Sequence, residues 1–279
     1  MLKLLTWRAR ATYWTVFAAI ACFLFLPLLW MVITSIKPES EIFVRFPTLW
    51  PKMATLVNYT NLFSRGEMAG QLKNSLITAG GGAILTVVLA TYAAYSFAKF
   101  RYRGRKPLMF LMLSAQMFPF AMMLISLYPL LQWAGLLNTR LGLVLAYIIL
   151  ALPSGTYMLY SYFTNIPTEI IEAARADGAG ELYILHRIVL PLAMPALVTV
   201  GLYSFMWAWN DLLFSLPLIT KPELRTVGPG LLLNYIGESK SDWGGAMAAS
   251  IVSSLPVVIG FAFLQRFFIQ GLTAGAVKS

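Results

Sequence analysis

Apolar residues in this chain fall in long uninterrupted runs, without the regular polar spacing of a water-soluble globule. Residues 11–36 contain no Asp, Glu, Lys or Arg, and neither do 74–98, 107–139, 141–168, 188–210 or 243–265. A helix needs about 20 apolar residues to cross the hydrocarbon core of a bilayer, so each run accommodates one span. Lipid-facing strands would instead alternate over about ten residues. The pattern predicts an all-α membrane protein with six spanning helices.

Composition agrees with that reading. Hydrophobic residues make up 59% of the 279 residues and charged ones 11%, against roughly 45–50% and 25% in soluble domains. The first run follows Lys3, Arg8 and Arg10, but it is longer than the roughly 7–15-residue core of a secretory signal. Ala19-Ile20-Ala21-Cys22 faintly resembles a lipoprotein cleavage box, yet the apolar run continues past it, so no cleavage is expected. Cys22 is the single cysteine, which excludes an internal disulfide. It reads as a small packing residue.

The net charge of +10 is placed unevenly. Lys3, Arg8 and Arg10 precede the first run, and Lys99, Arg101, Arg103, Arg105 and Lys106 crowd the segment after the second, neither stretch containing an acid. Short basic loops stay cytoplasmic. Both termini are therefore expected inside, with 37–73, the Asn138-Thr139-Arg140 loop and 220–243 outside. This placement accounts for the charge without a nucleic-acid partner. The expected layout is a cytoplasmic tail at 1–12, a membrane domain at 13–266 and a second tail at 267–279.

Local composition adds detail. Asn58 to Phe63 suggests a short interfacial helix in an outer segment broken by Pro38, Pro47 and Pro51. Phe43, Phe46, Trp50, Tyr59 and Phe63 suit either a membrane–water boundary or a docking surface for a partner. Small residues at 79–83 and 244–250 let helix backbones approach closely, which supplies packing in lipid. Prolines 119, 129, 153, 217 and 256 are candidates to kink or end helices.

Between the fourth and fifth runs lies a polar, alanine-rich hairpin. Pro167 suits a first helical turn, and Glu169 and Glu172 lie near that helix's positive end. Ile166, Ile170 and Ala174 recur at spacing four, while Ala173, Ala174 and Ala176 keep the helix thin. Gly178 supplies a left-handed stop. A second helix is expected from about Glu181 until Pro191 and Pro195 close it. A thin helix with a glycine elbow fits a groove on another protein.

The spacing Glu172-Ala173-Ala174, Asp177-Gly178, then Ile188, Leu190 and Pro191 resembles the EAA loop of ATP-binding-cassette import permeases, here at 164–193. Asn74-Ser75-Leu76, Trp209-Asn210-Asp211 and the ending Gln265-Arg266 to Gly271-Leu272-Thr273-Ala274-Gly275-Ala276 look like the MalG-type permeases of carbohydrate importers. The likeness covers nearly the whole chain, with Ser279 standing where relatives often carry glycine. It implies the six-helix MetI-like fold of type I importers, in the plasma (inner) membrane of a bacterium or archaeon. It also implies a second homologous permease, a cytoplasmic ATPase dimer receiving the hairpin, and an extracytoplasmic binding protein delivering a sugar-type substrate. By the same resemblance Gly271, Leu272, Thr273 and Gly275 reach toward the ATPase.

Chemistry-bearing residues are sparse. The chain has no G-x-x-x-x-G-K-[ST] phosphate loop, so ATP and Mg are expected on the partner ATPase, with no cofactor or metal on this non-catalytic subunit. His186 is the single histidine. Asp211 is the one acid expected within a span, where a charge costs about 2.5–3.5 kcal/mol at a helix centre. Asn210 and Asp211 read either as polar glue between helices or as a wall of the translocation path. Trp207 and Trp209 suit sugar stacking or interfacial anchoring. An ATP-independent secondary transporter or channel is the alternative class, although one acid is thin material for a coupling-ion site. A membrane enzyme would want a nucleophile or metal set.

Overall fold

The computed structural model describes residues 7–64, 66–236 and 242–276, with 266–276 as backbone only. Regular structure among the described residues is entirely helical. In chain order it comprises α1 (Trp7–Ser35), α2 (Val57–Ser64), α3 (Glu67–Lys99), α4 (Arg105–Ser114), α5 (Phe120–Trp133) and α6 (Arg140–Thr164). The hairpin follows as α7 (Thr168–Ala176), α8 (Glu181–Ile184), a π-helical turn (Leu185–Val189) and α9 (Leu190–Leu192). Then come α10 (Met194–Trp209), α11 (Ser215–Leu218), α12 (Val227–Tyr235) and α13 (Trp243–Ala276).

Among the described residues four helices are long and apolar enough to cross a membrane: α1, α3, α6 and Trp243–Gln265 of α13. The third run is bent by 102° between Arg105–Met117 and Phe120–Trp133, and Glu181–Leu192 meets Met194–Trp209 at 80°. Counting each bent pair as one span gives the expected six. Pro119 causes the first break by forcing Phe118 out of helical geometry, to ψ 138°. Gln116 secures that break to α6, donating to the Leu150 carbonyl at 3.2 Å and accepting from Ser154 at 2.7 Å. Proline alone does not decide the outcome, since Pro153 and Pro256 lie inside helices that continue through them.

The helices gather into two compact units. One comprises the described residues up to Met68 together with Leu231–Ser254. Here α2 forms as expected, and Asn58 donates to the carbonyls of Ser35 and Lys37 at 2.8 and 3.0 Å. Tyr59 and Ser35 share a 2.8 Å hydrogen bond, and Glu41 accepts from the Lys52 and Met53 amides. In α1 only Ile33, Thr34 and Ser35 are buried. The rest of that apolar helix faces outward, which is stable only where the solvent is itself apolar.

The other unit comprises Ala69–Gly230 and the chain from Leu255 onward. Its centre is α6, with Gly142 to Gly155 largely buried. The glycine run of α3 lets α6 come close, since a Cβ on Gly82 would lie 3.2 Å from Tyr147 Cβ. On α6 itself, a Cβ on Gly155 would meet Val200 at 3.0 Å and Thr86 at 3.4 Å. Small residues thus set helix separation here. The α3 helix begins seven residues before Asn74, at Glu67. Asn74 is buried, donating to the carbonyls of Glu223 and Arg225 and accepting from Arg140 Nε at 2.9 Å. Ser75 accepts from the Val227 amide at 2.9 Å, so both motif residues fasten the 223–227 loop to α3.

Candidate functional site

The hairpin has one sunken face and one open face. Helix α7 starts at Thr168, so Pro167 takes the capping position just before the first turn. Ile171 and Ala174, at spacing three, are 1% and 9% exposed. Of the expected Ile166–Ile170–Ala174 face, Ile166 and Ala174 are buried as predicted, while Ile170 lies 41% exposed and Ile171 takes its place. Ile184 of α8 joins Leu185, Val189, Tyr95, Leu159 and Phe163 with them in a common core. Each such side chain contributes about 1.5–3 kcal/mol when fully buried. The hairpin is therefore built into the body of the unit.

Glu172, Ala173, Asp177 and Gly178 all lie on the open face, whereas Ala174 is buried. Ile188 and Leu190 are half-buried against the same core, and Pro191 is exposed. Gly178 adopts φ +84° and accomplishes the turn, with Asp177 N and Gly178 N closing on the carbonyls of Ala173 and Arg175. That is the left-handed residue the sequence predicts, the conformation that terminates a helix.

The second helix ends between the two prolines expected to close it. Helical geometry passes through Pro191 and breaks at Ala193. A π turn over Leu185–Val189 explains this, with the Leu190 amide reaching back to Leu185 O. The widened turn tolerates a proline that would clash in a regular α-helix.

Polar contacts brace the hairpin from inside. Glu181 accepts from Tyr95 Oη at 2.9 Å through one carboxylate oxygen and from Arg175 Nε at 2.7 Å through the other. The hydrogen bond to Glu181 raises the Arg175 guanidinium above its already high ordinary pKa. Lys99 donates to Ile166 O at 2.9 Å, and Tyr162 to Leu192 O at 3.1 Å. His186 pairs with Tyr92 at 3.2 Å and with the Leu182 carbonyl at 2.8 Å. Sequence reasoning singled out neither Tyr95 nor Arg175. Their partner lies 86 residues from one and six from the other, and neither separation is a helix-neighbour spacing.

A second polar site closes α10. Asn210 caps that helix and is exposed, while Asp211 is 8% exposed. The Asp211 carboxylate accepts from Tyr147 Oη at 3.1 Å and from the Phe214 and Ser215 amides at 3.1 and 2.8 Å. It thereby caps the short α11 and ties it to α6. Trp209 is buried beside Phe205, but Trp207 lines a hollow of about 530 Å³ with Tyr203, Met206 and Asn210. Phe120, Tyr147 and Phe214 surround the Trp207 ring at centroid distances of 5.8 to 6.1 Å.

At the other end, Gly271, Leu272, Thr273 and Gly275 continue the backbone of α13, which runs on to Ala276. Val277–Ser279 lie outside the described residues, as do Met1–Thr6 of the expected N-terminal tail. Among the described residues no group of three or more His, Cys, Asp or Glu is arranged to hold a metal.

Residues 82–274 match the family described as the binding-protein-dependent transport system inner membrane component. An inner membrane ABC transporter permease protein, YcjP of Escherichia coli, is 36% identical over 90% of each chain. The trehalose transport system permease protein SugB of Mycobacterium tuberculosis is 35% identical, over 96% of this chain and 98% of its own. Among solved structures, a chain of a bacterial ABC transporter for import of the acidic polysaccharide alginate superposes with a TM-score of 0.83. It covers 95% of this chain and 99% of its own at 22% identity, a likeness of fold.

Proposed function

The chain belongs to the family of binding-protein-dependent transport system inner membrane components, and from that premise we propose how this permease subunit of an ATP-binding-cassette importer works. Its cargo is a sugar, oligosaccharide or related polyol. Relatives named for trehalose and for trehalose/maltose transport, each at least 34% identical over 90% or more of this chain, support that class. As a multi-pass inner-membrane protein it keeps both termini in the cytoplasm, in accord with the basic segment at 99–107.

The two-faced hairpin carries the reading. Glu172, Ala173 and Asp177 stand open beside a left-handed Gly178, while Ile171, Ala174 and Ile184 are anchored in the helix core. A cleft of a cytoplasmic ATPase dimer grips the open face. ATP and Mg bind there, and closure of the dimer pushes the hairpin. The anchored face passes that displacement to α3, α6 and α10. A second homologous permease completes the path, and an extracytoplasmic binding protein supplies the substrate. On this chain's side the hollow at Trp207 and Asn210 offers an aromatic face beside an amide, the usual equipment for a hydroxyl-rich ligand.

Co-expression with the neighbouring permease and ATPase, followed by reconstitution in vesicles, tests this reading. ATP-dependent uptake of a labelled sugar, presented by its binding protein, is the expected result. Uptake by this chain alone, driven by an ion gradient without ATP, overturns it.

A further inference from the structure

Two side chains of α3, Tyr95 and Lys99, hold the hairpin at two separate places. They are four residues apart and so share one face of the helix. Lys99 Nζ donates to Ile166 O at 2.9 Å, in the turn between α6 and α7. Tyr95 Oη donates to Glu181 at 2.9 Å, just past the Gly178 elbow. The other Glu181 oxygen receives Arg175 Nε at 2.7 Å, stapling α7 to α8 across that elbow.

Packing surrounds these contacts. Tyr95 is 4% exposed, with its ring edge-on to Phe163 at 6.5 Å and to Phe100 at 5.7 Å. The aromatic body is fixed and only the hydroxyl emerges to meet the carboxylate. Glu181 therefore has each oxygen engaged by a different helix, and α3 holds the hairpin on either side of α7, at the turn before it and on α8 after it. Swinging the hairpin away from α3 would break the Lys99 and Tyr95 contacts together.

We propose that Tyr95, Lys99 and Glu181 are positioning residues that clamp the coupling hairpin to the cytoplasmic end of α3, so that the two move as one lever during transport. The proposal deepens the import reading and rests on it. A force applied at Glu172 and Ala173 then reaches the second span directly, without first passing through the fourth or fifth. The alternative is a hairpin hinged only at its chain connections, near Asn165 and Ala193, which swings past a stationary α3.

Distance measurement between spin labels separates the two in the full complex. With Cys22→Ser as background, labels go on Arg101→Cys beyond α3 and Leu182→Cys on α8, both exposed positions. The expected result is the same mean distance with and without ATP, while a label pair across the two permeases reports the transport movement. A shift between 101 and 182 on adding ATP, in a complex that transports, overturns the clamp.

The second measurement is sugar moved per ATP hydrolysed. Tyr95→Phe removes one hydroxyl and Glu181→Gln one charge, leaving the packing in place. Each is expected to lower that ratio roughly three- to tenfold, with the double variant no worse than the more severe single one. A ratio unchanged in assembled variants, whatever their thermal stability, overturns the proposal. A parent complex with no ATP-dependent uptake instead brings down the import reading itself, so the two failures are distinguishable.

Discussion

Tyr147 of α6 donates a 3.1 Å hydrogen bond to Asp211, 64 residues further along the chain, and both side chains are buried. The same carboxylate receives two backbone amides, so this acid, which lies just past the end of α10 and not within the span as the sequence suggested, has three donors. A buried carboxylate with three donors serves as a joint: it caps α11 and fixes where the chain leaves α10.

Removing either partner should therefore destabilise by unequal amounts. Tyr147→Phe deletes one bond and is expected to cost about 1–2 kcal/mol, whereas Asp211→Ala strands a hydroxyl and two amides and should cost more. Thermal denaturation of detergent-purified protein, followed by loss of the monodisperse peak, should rank Asp211→Ala below Tyr147→Phe and both below the parent. Equal midpoints for all three would remove the joint.

The elbow offers a separation of conformation from sterics. Gly178 has φ +84° and nothing within 4 Å of an added Cβ, so Gly178→Val suffers only from its backbone dihedral. That strain is about 1–3 kcal/mol. Gly178→Asn should be milder, because asparagine tolerates the left-handed region. Sugar uptake and substrate-stimulated ATP hydrolysis are expected to fall together in the order parent, Asn, Val, with membrane insertion unchanged.

Glu172→Lys acts on the open face, where the side chain is exposed. It should reduce stimulated ATP hydrolysis and co-purification of the ATPase while leaving the permease's own stability within about 0.5 kcal/mol of the parent. A drop in permease stability without loss of coupling would contradict a docking role.

Helix separation at α6 is set by absence of side chains. Gly155→Val places atoms against Val200 and Thr86, which already stand 3.0 and 3.4 Å from the Cβ position. Overpacking of this kind costs about 1–3 kcal/mol. The expected outcome is a lowered midpoint and poor assembly, partly restored by pairing it with Val200→Ala.

Orientation is accessible to thiol labelling in a Cys22→Ser background. Cysteines at Thr55 and Lys221 should react with an impermeant reagent from outside, and those at Arg103 and Asp177 only after the membrane is opened. Gly230 is unsuitable, since a Cβ there would overlap the Gln71 side chain. External labelling at 177 in sealed cells would invert the arrangement.

Features legible along the chain are those that depend on local sequence and solvent. Uncharged runs located the membrane helices, because the cost of burying charge in lipid is paid residue by residue. Gly178 was readable as the elbow because a positive φ excludes most other residues there. The motif marked Glu172, Ala173 and Ala174 alike, although only the first two are exposed and Ala174 is buried.

Four outcomes needed the folded chain. Pro119 breaks its helix while Pro153 lies inside one that continues, and proline by itself does not separate the two. Pro191 stays helical because a π turn ahead of it makes room for the ring. On α7, Ile171 and not Ile170 joins Ile166 and Ala174 in the core shared with α8. Tyr95 with Glu181, and Tyr147 with Asp211, are pairs joined across 86 and 64 residues. Hydrophobicity and turn chemistry act through neighbours in the chain and are written there. Partners for buried polar groups are chosen by which helices come together, and only the tertiary structure decides that.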